Sequence, residues 1–324
     1  MKRGRSPHLV DLFSGAGGFT RGFHEVGFTS LIAIDVDEAA ASSYVSNFPT
    51  ALVLVEDVRE VSCDLIRKLL NGVEVDVLIG SPPCEPFTGS NPNRMSDPLD
   101  RLYKDPQGQL VLEFIRILSC LEPKAFVMEN VPAIMEGDLR SALKEEFGRV
   151  GYEVRFNVLK AEDYGTPSRR TRVFISNLTL NPRRSGGKVV VWDVLKDLPP
   201  PSHEPLLPNH EPPPNLSKSK LKRAVRVGWG SSMVKYEGAE GRRLPNLIRL
   251  HPYRVAPTVL GSSRFLHPFE DRLLTVREQA RLMGFPDHHV FLGGKEQQYN
   301  QVGEAVPPTL AKAIAEELIK FLGG

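Results

Sequence analysis

A cysteine, a glutamate and two arginines stand at the ends of short apolar runs, where a thiolate nucleophile, a carboxylate and fixed positive charge could act on one substrate. Cys84 lies in Gly80-Ser81-Pro82-Pro83-Cys84-Glu85-Pro86-Phe87-Thr88, directly after the run Val75-Asp76-Val77-Leu78-Ile79. The two preceding prolines forbid a helix and fix the direction of the loop, and loops after parallel strands carry the chemistry of α/β folds. A free cysteine taken alone is more often a small buried hydrophobe. Glu129, in Glu129-Asn130-Val131-Pro132, ends another such run; a single glutamate there also reads as an exposed cap or surface charge. Arg170 and Arg172 alternate into the run Thr171–Ile175 and so share one face, although charge on an edge strand that guards against aggregation has the same pattern.

A second group of residues is suited to holding a nucleoside. Asp11-Leu12-Phe13-Ser14-Gly15-Ala16-Gly17-Gly18 is a glycine-rich turn that opens a helix, where backbone can approach a ligand closely. Its spacing is not Gly-x-Gly-x-x-Gly, and many α/β turns hold glycine for packing alone. Asp35 ends the next strand about twenty residues later, placed to take ribose hydroxyls, and Asp57 ends the third. No Walker-type lysine follows, so a nucleoside without a triphosphate fits better than ATP.

The elements that must position these groups are legible as alternating runs. Leu9–Phe13, Leu31–Ile34, Ala51–Val55, Val75–Ile79 and Ala125–Met128 read as buried strands, separated by helix-spaced apolar residues over Gly18–Val26, Glu38–Asn47, Asp64–Leu70 and Gln109–Leu121. Glu153–Leu159 and Thr171–Ile175 are close enough to form a hairpin that closes the sheet, which gives roughly seven strands, mostly parallel. After Ser176 the texture changes: eight prolines fall among residues 199–214, followed by Lys218, Lys220, Lys222, Arg223 and Arg226. That stretch reads as a linker into a small irregular second domain. Helical patterning returns at Thr275–Met283, stopped by Gly284-Phe285-Pro286, and at Pro308–Phe321.

Composition excludes several classes. With 25% charged and 41% hydrophobic residues in 324, and no apolar run of membrane-spanning length, the chain is expected to be cytoplasmic, nucleoid-associated in a prokaryote, with no membrane partner. Met1-Lys2-Arg3-Gly4-Arg5 is basic, but His8 and Asp11 interrupt any signal-peptide core. The cysteines at 63, 84 and 120 show neither Cys-x-x-Cys spacing nor a pairing pattern, so no zinc site and no disulfide framework are expected, and His288 and His289 receive no metal role. The net charge of +2 conceals an asymmetry: Leu178 to Arg254 holds 14 Lys/Arg against 6 Asp/Glu, while the remainder is acidic. A solvated charged face and the footprint of a polyanion reader both fit that distribution.

In chain order these pieces resemble the cytosine-C5 methyltransferases that use S-adenosylmethionine. The resemblance rests on the turn from Asp11 to Gly18, the Pro83-Cys84 loop, Asp105-Pro106-Gln107-Gly108, Glu129-Asn130-Val131, Arg170-x-Arg172 and Leu274-Thr275-Val276-Arg277-Glu278. It ends with Gly284-Phe285-Pro286-Asp287 and with Gln301-Val302-Gly303-Glu304-Ala305-Val306-Pro307-Pro308, and so covers nearly the whole chain. It implies an α/β fold, a doubly wound, mostly parallel, Rossmann-like sheet with a smaller irregular target-recognition domain. The expected division is 1–177 for catalysis and cofactor, 178–290 for target recognition, and 291–324 for a segment whose helix packs back on the first domain.

By the same resemblance Cys84 is the thiolate that adds at C6 of a flipped-out cytosine, Glu129 holds the N3 and N4 edge, Arg172 binds O2 and Arg170 assists at the catalytic loop. The cofactor, left as S-adenosyl-L-homocysteine, would meet Phe13, Gly15, Gly17, Asp35, Val36, Asp57, Val58, Pro83, Leu110, Glu304, Ala305 and Val306. Nucleic-acid contacts would come from Ser81, Ser90, Arg223, Arg226, Arg242 and Arg243, mostly to phosphate. Double-stranded DNA is the expected partner, with a cognate restriction endonuclease as a possible companion and a monomeric enzyme. The family's RNA-acting branch shares the Pro-Pro-Cys-x-Pro-Phe-Thr loop but also carries a Cys-Phe-Thr motif, and no cysteine follows Cys120 here. A silent DNA-binding homologue is the third alternative. Three residues depart from the family pattern: Ser168 and Glu85 stand where glutamine is usual, and Glu304 where asparagine is. Glu85 is expected to raise the Cys84 pKa, and Ser168 to weaken loop anchoring.

Overall fold

The short β-type runs become strands and the helix-spaced runs become the layers that cover them. The computed structural model describes residues 5–237, 241, 243–261 and 265–323. Among them, β1 (His8–Leu12), β2 (Thr29–Asp35), β3 (Leu52–Val55), β4 (Val77–Gly80), β5 (Ala125–Asn130), β6 (Arg155–Lys160) and β7 (Thr171–Ser176) form one sheet in the order β3-β2-β1-β4-β5-β7-β6. The pairings from β3 to β5 are parallel, and β7 runs antiparallel to both β5 and β6. The hairpin expected from the sequence therefore forms and closes the sheet. Strand order reverses between β1 and β4, the position at which doubly wound sheets open a crevice for ligands.

Alternation along the strands supplies both faces of the sheet. Val10, Leu12, Leu78 and Phe126 meet Ile66 and Leu70 of α3 (Cys63–Leu70), Phe114 and Leu118 of α5 (Leu110–Leu121), and Leu143 and Phe147 of α6 (Leu139–Arg149). Leu9, Val77, Ile79 and Val127 point the other way, onto Phe19 and Phe23 of α1 (Gly18–Val26) and Leu310, Ile314 and Leu318 of α11 (Pro308–Gly323). Between β2 and β3 lies α2 (Glu38–Asn47), capped by the Asp37 carboxylate on the Ala40 amide.

Two glycines one helical turn apart let α11 lie against α1. A Cβ on Gly18 would stand 2.7 Å from the Val306 carbonyl oxygen, and one on Gly22 would overlap the backbone of Ala311 and Lys312. This spacing brings the two backbones into direct contact and seats the Glu304-Ala305-Val306 turn beside the glycine-rich turn.

After β7 the chain is less regular. It contains α4 (Pro98–Tyr103) earlier and then α7 (Val191–Leu195), α8 (Lys218–Ala224), an antiparallel pair β8 (Ser232–Glu237) and β9 (Arg243–Ile248), α9 (Val276–Leu282) and α10 (Lys295–Glu304). The Thr275–Glu278 capping box starts α9 and Gly284, at φ 79°, follows its end, as the sequence stop signal indicated. Val191, Leu195, Leu274, Ala280 and Met283 share a core with Ala16 of the glycine-rich turn. Among the described residues no helix is long and apolar enough to cross a membrane.

The cysteine reading is corrected by the packing. Cys63 at the start of α3 and Cys120 near the end of α5 are joined as a disulfide, with Cα atoms 5.5 Å apart. The two lie 57 residues apart in sequence, and only the packing of both helices on the same face of the sheet brings them together. Cys84 remains as the free thiol.

A buried polar chain supports the first strand. Thr20 Oγ1 donates to Asp11 Oδ2 at 2.6 Å and contacts Tyr44 Oη at 2.8 Å, which in turn meets Ser30 Oγ at 2.8 Å. Burial pushes the Asp11 carboxyl up to about 8. The folded state then keeps a proton that the unfolded chain releases, so this group makes stability fall as pH rises from about 4 to about 8. We expect urea midpoints to decline across that window and Asp11→Asn to flatten the decline. At the helix seam, Gly22→Val should cost about 1–3 kcal/mol in urea unfolding by forcing two backbones apart, with Gly22→Ala intermediate.

Candidate active site

Cys84 is held by bonds on both sides of its loop. Leu12 of β1 pairs with Gly80 of β4, and the Ser81 amide donates to the Leu12 carbonyl at 3.2 Å, so the loops after β1 and β4 leave the sheet side by side. Asn130, wholly buried at the end of β5, donates from Nδ2 to the Pro82 carbonyl at 3.1 Å and accepts the Val131 amide on Oδ1 at 2.8 Å. The Cys84 carbonyl accepts the amides of Phe87 and Thr88, both at 3.0 Å, closing a turn over the buried Phe87 ring. Further along, Glu136 accepts Arg94 at 3.3 Å and Arg101 at 2.6 Å, while Arg101 also donates to the carbonyls of Met95 and Ser96. Asn130 and Glu136 were not singled out from the sequence. A buried asparagine side chain at a strand end, which must find partners, was the available signal for the first.

The pairing of β5 with β7 delivers the charged groups. Glu129 stands opposite Phe174, which puts Arg172, two residues earlier on the partner strand, on the same face and on the diagonal. Arg172 Nε lies 2.8 Å from Glu129 Oε1 in a buried ion pair whose angle does not make a hydrogen bond, so that oxygen is left without a hydrogen-bond partner. Burial, followed by the Glu129 charge, raises the Cys84 thiol above its ordinary value, while Arg172 and Arg170 oppose the rise and Glu304 adds to it. The expectation for Glu85 is corrected here. Glu85 is exposed and acts on Glu304, and the carboxylates that do most to raise the thiol are Glu129 and Glu304.

Arg170 is fully desolvated, and this lowers its guanidinium to about 9. It donates to the carbonyls of Val259 at 3.2 Å, Gly303 at 2.9 Å and Glu304 at 3.2 Å, while its Nε has no hydrogen-bond partner. In this structure it ties the start of β7 to the Val259 and Gly303-Glu304 segments, and Arg172 is the arginine that meets Glu129. Ser168 is buried, its backbone bridged to Ala256 and its hydroxyl on Met283 Sδ at 3.8 Å, so the shorter side chain still sits in an anchored loop.

The nucleoside candidates collect around the ends of the first three strands. Phe13, Gly15 and Gly17 all have positive φ (57°, 53° and 84°), and the Gly15 amide donates to Asp35 Oδ2 at 2.7 Å. A Cβ at Gly17 would collide with the Phe48 ring, which reserves that position for glycine. Asp35 Oδ1 accepts the Asp37 amide at 2.9 Å, and burial raises this carboxyl. Val36 follows with its side chain 70% exposed. The Asp57 carboxylate is taken by Arg59, which holds it below the usual range, and Val58 is buried. Leu110 and Pro83 are part-buried, and Leu110 packs against the same core as Phe13 and Cys84. Glu304 is open to solvent yet ringed by protein, and desolvation, Glu85 and Asp35 raise its carboxyl; Ala305 and Val306 back the glycine-rich turn. Ser14 Oγ, in the middle of that turn, is buried without a hydrogen-bond partner.

The proposed nucleic-acid contacts are more scattered. Ser90 Oγ stands 3.1 Å from Thr88 Oγ1 beyond the Cys84 turn, and Ser81 begins the loop. Arg226 and Arg243 are exposed, whereas Arg223 is tied to the Met233 carbonyl, and Arg242 lies outside the described residues.

Comparison with known proteins places the chain among relatives of one kind. Residues 8–320 match the family profile of C-5 cytosine-specific DNA methylases. An inferred type II methyltransferase of Methanocaldococcus jannaschii is 46% identical over 319 residues, covering 97% of this chain and 100% of the relative. The type II methyltransferase M1.HphI of Haemophilus parahaemolyticus is 36% identical, over 96% of this chain and 86% of its own length. The crystal structure of an inferred DNA modification methyltransferase from an E. coli prophage superposes with a TM-score of 0.80 at 27% identity, covering 98% of this chain and all of that one.

The charges around the thiol predict its reactivity. Alkylation of Cys84 by iodoacetamide should have a pH midpoint above that of a free cysteine, moving down in Glu129→Gln and further up in Arg172→Gln. Peptide mass mapping across a pH series reads these midpoints, and equal midpoints in all three proteins would refute the arrangement.

Proposed function

The chain belongs to the C-5 cytosine-specific DNA methylases, and on that premise we propose that it transfers a methyl group from S-adenosyl-L-methionine to C5 of a flipped-out cytosine in double-stranded DNA, through a covalent Cys84–C6 adduct. The observation that carries this reading is the Cys84 thiol beside the buried Glu129–Arg172 pair, at strand ends that also bear the glycine-rich turn.

The residues present fit the cofactor. Ser14 Oγ is a buried polar atom lacking a partner, each Asp35 oxygen accepts one backbone amide and retains a lone pair for a hydroxyl, and Val36 presents an apolar surface just beyond. Phe13, Gly15, Gly17, Asp35, Val36, Val58, Pro83, Leu110 and the Glu304-Ala305-Val306 turn would hold it, with Asp57 contributing its backbone because Arg59 occupies its carboxylate. S-adenosyl-L-methionine supplies an electrophilic methyl on a sulfonium.

This chain's residues then prepare the base. The Cys84 thiol loses its proton to solvent, and the thiolate adds to C6, which moves electron density onto C5 and toward N3. As the thiolate adds, N3 takes a proton from solvent; Glu129 accepts from N4 and N3, while Arg172 donates to O2 and stands as counter-charge beside Glu129. Once C5 carries its methyl, the C5 proton leaves to solvent, its electron pair forms the C5=C6 double bond, the C6–S pair returns to Cys84, and N3 gives its proton back to solvent. Arg170 positions the wall that carries Glu304. A cytosine stacked in a duplex cannot reach such a pocket, so the base must leave the helix first.

The type II names of the relatives support a restriction-modification setting, and we propose that the enzyme acts as a cytoplasmic monomer with a cognate endonuclease as companion. Residues 178–290 would serve as the recognition domain, with Ser81, Ser90, Arg226 and Arg243 toward DNA.

Labelled methyl from S-adenosyl-L-methionine should enter C5 of unmethylated duplex DNA and not unmodified tRNA. Cys84→Ala should abolish the transfer, and Arg172→Ala should reduce kcat by about 10²–10³. Label on tRNA alone would move the activity to RNA, and binding of DNA without label would leave a silent homologue.

A further inference from the structure

The irregular region carries an aromatic surface for which the catalytic site has no use. Trp229 stands with its ring centroid 5.4 Å from His251, 6.2 Å from Tyr253 and 5.7 Å from Phe269, and Phe269 is 4.7 Å from Trp192. Trp229, Tyr253 and Phe269 are 45%, 62% and 48% exposed, so three large rings share one solvent-facing patch. The patch is held in place: Trp229 Nε1 donates to the Pro268 carbonyl at 2.8 Å, and the Tyr253 amide donates to His251 Nδ1 at 3.2 Å.

Charge around the patch favours a polyanion. Of the acids beside Phe269, Glu270 is paired with Arg272 and Asp271 with Arg249. Arg226, three residues before Trp229, and Arg254, next to Tyr253, are exposed and make no ion pair among the described residues. Location favours the same partner. Ala256, three residues after Tyr253 and so within about 10 Å of chain, bridges to Ser168; its carbonyl accepts the Arg169 amide and its amide donates to the Pro167 carbonyl, both at 2.9 Å and next to Arg170. A duplex whose cytosine enters the Cys84 pocket would thus pass its flanking nucleotides over these rings.

We propose that Trp229, Tyr253 and Phe269 form a stacking platform for a nucleobase displaced from the duplex stack beside the flipped cytosine and outside the methylation pocket, with Arg226 and Arg254 on the adjoining phosphates. Every base has a π-face, so the rings add affinity while the arginines add salt dependence. The inference rests on the reading that DNA is the substrate, and its test separates the two.

The full-length Trp192→Phe protein leaves Trp229 as the sole tryptophan, since the sequence has 2. Its emission is followed as a short duplex spanning a methylated site is added, and methyl transfer to the same duplex is measured alongside. Stacking predicts quenching at saturation, a Kd raised about 5- to 100-fold by Trp229→Ala with the salt slope unchanged, near-normal binding by Trp229→Phe, and a salt slope lowered by about one in Arg254→Gln. Tyr253→Ala, at a more exposed position, should weaken binding in the same way without touching the Pro268 bond. Duplex that is bound and methylated while Trp229 emission and the Kd values of both alanine variants stay unchanged overturns the platform, leaves methyl transfer standing and assigns the surface to a protein partner. Duplex that is neither bound nor methylated overturns both readings.

Discussion

The antiparallel seating of β7 between β5 and β6 is the constraint on which the rest of the site depends. A strand running against its neighbours starts at the edge where the parallel strands end, so the first residues of β7 arrive beside Glu129 and the Cys84 loop. The register then leaves no choice of partner: with Glu129 opposite Phe174, Arg172 falls on the diagonal of the same face. A buried carboxylate without a counter-charge would cost about 3–5 kcal/mol, and a one-residue slip would turn Arg172 to the other face. The ion pair is therefore a consequence of sheet topology, and the thiol inherits its electrostatic surroundings from it.

Where the chain leaves regular structure, buried arginines take over the work of a hydrogen-bond ladder. Arg170 donates to the carbonyls of Val259, Gly303 and Glu304, and Arg277 to those of Pro208, Pro286 and His289. Arg249 likewise gathers Ala224, Val227, His267 and Glu270. A proline-rich segment has few amides to offer, and a planar five-donor fork can satisfy several carbonyls at once. The cost is desolvation of the cation, visible in the lowered Arg170 and Arg277 guanidinium values. Arg170 joins the start of β7 to a turn more than a hundred residues later, so the Gly303-Glu304 carbonyls are fixed relative to the sheet.

The departures from the family pattern acquire a spatial meaning in the folded chain. Glu85 and Glu304 lie far apart in sequence, yet the Glu85 charge helps to raise the Glu304 carboxyl, after desolvation by burial. Glu304 also bears on Cys84, whereas Glu85, its chain neighbour, is directed outward. Proximity along the backbone is a poor guide to electrostatic influence when a turn separates two side chains.

The element types, the glycine-rich turn and the placement of Cys84 at a strand end were determined by the sequence itself. Their causes are local: α1 and α2 match their expected limits of Gly18–Val26 and Glu38–Asn47, and Gly284 ends α9 where the stop signal stands. Periodicity, caps and prolines act over a few residues and can be read from those residues. The tertiary structure alone decided the Cys63–Cys120 disulfide, the bond from Asn130 to Pro82, the use of Arg170 as a clamp and the turning of Arg223 toward Met233. Most of these link positions that no local pattern marks as partners, and a side chain such as Arg170 or Arg223 fits a solvent-facing, a substrate-binding or a carbonyl-binding role equally well. Which role it takes depends on which backbone groups packing leaves without hydrogen bonds, and that is known only once the layers have come together.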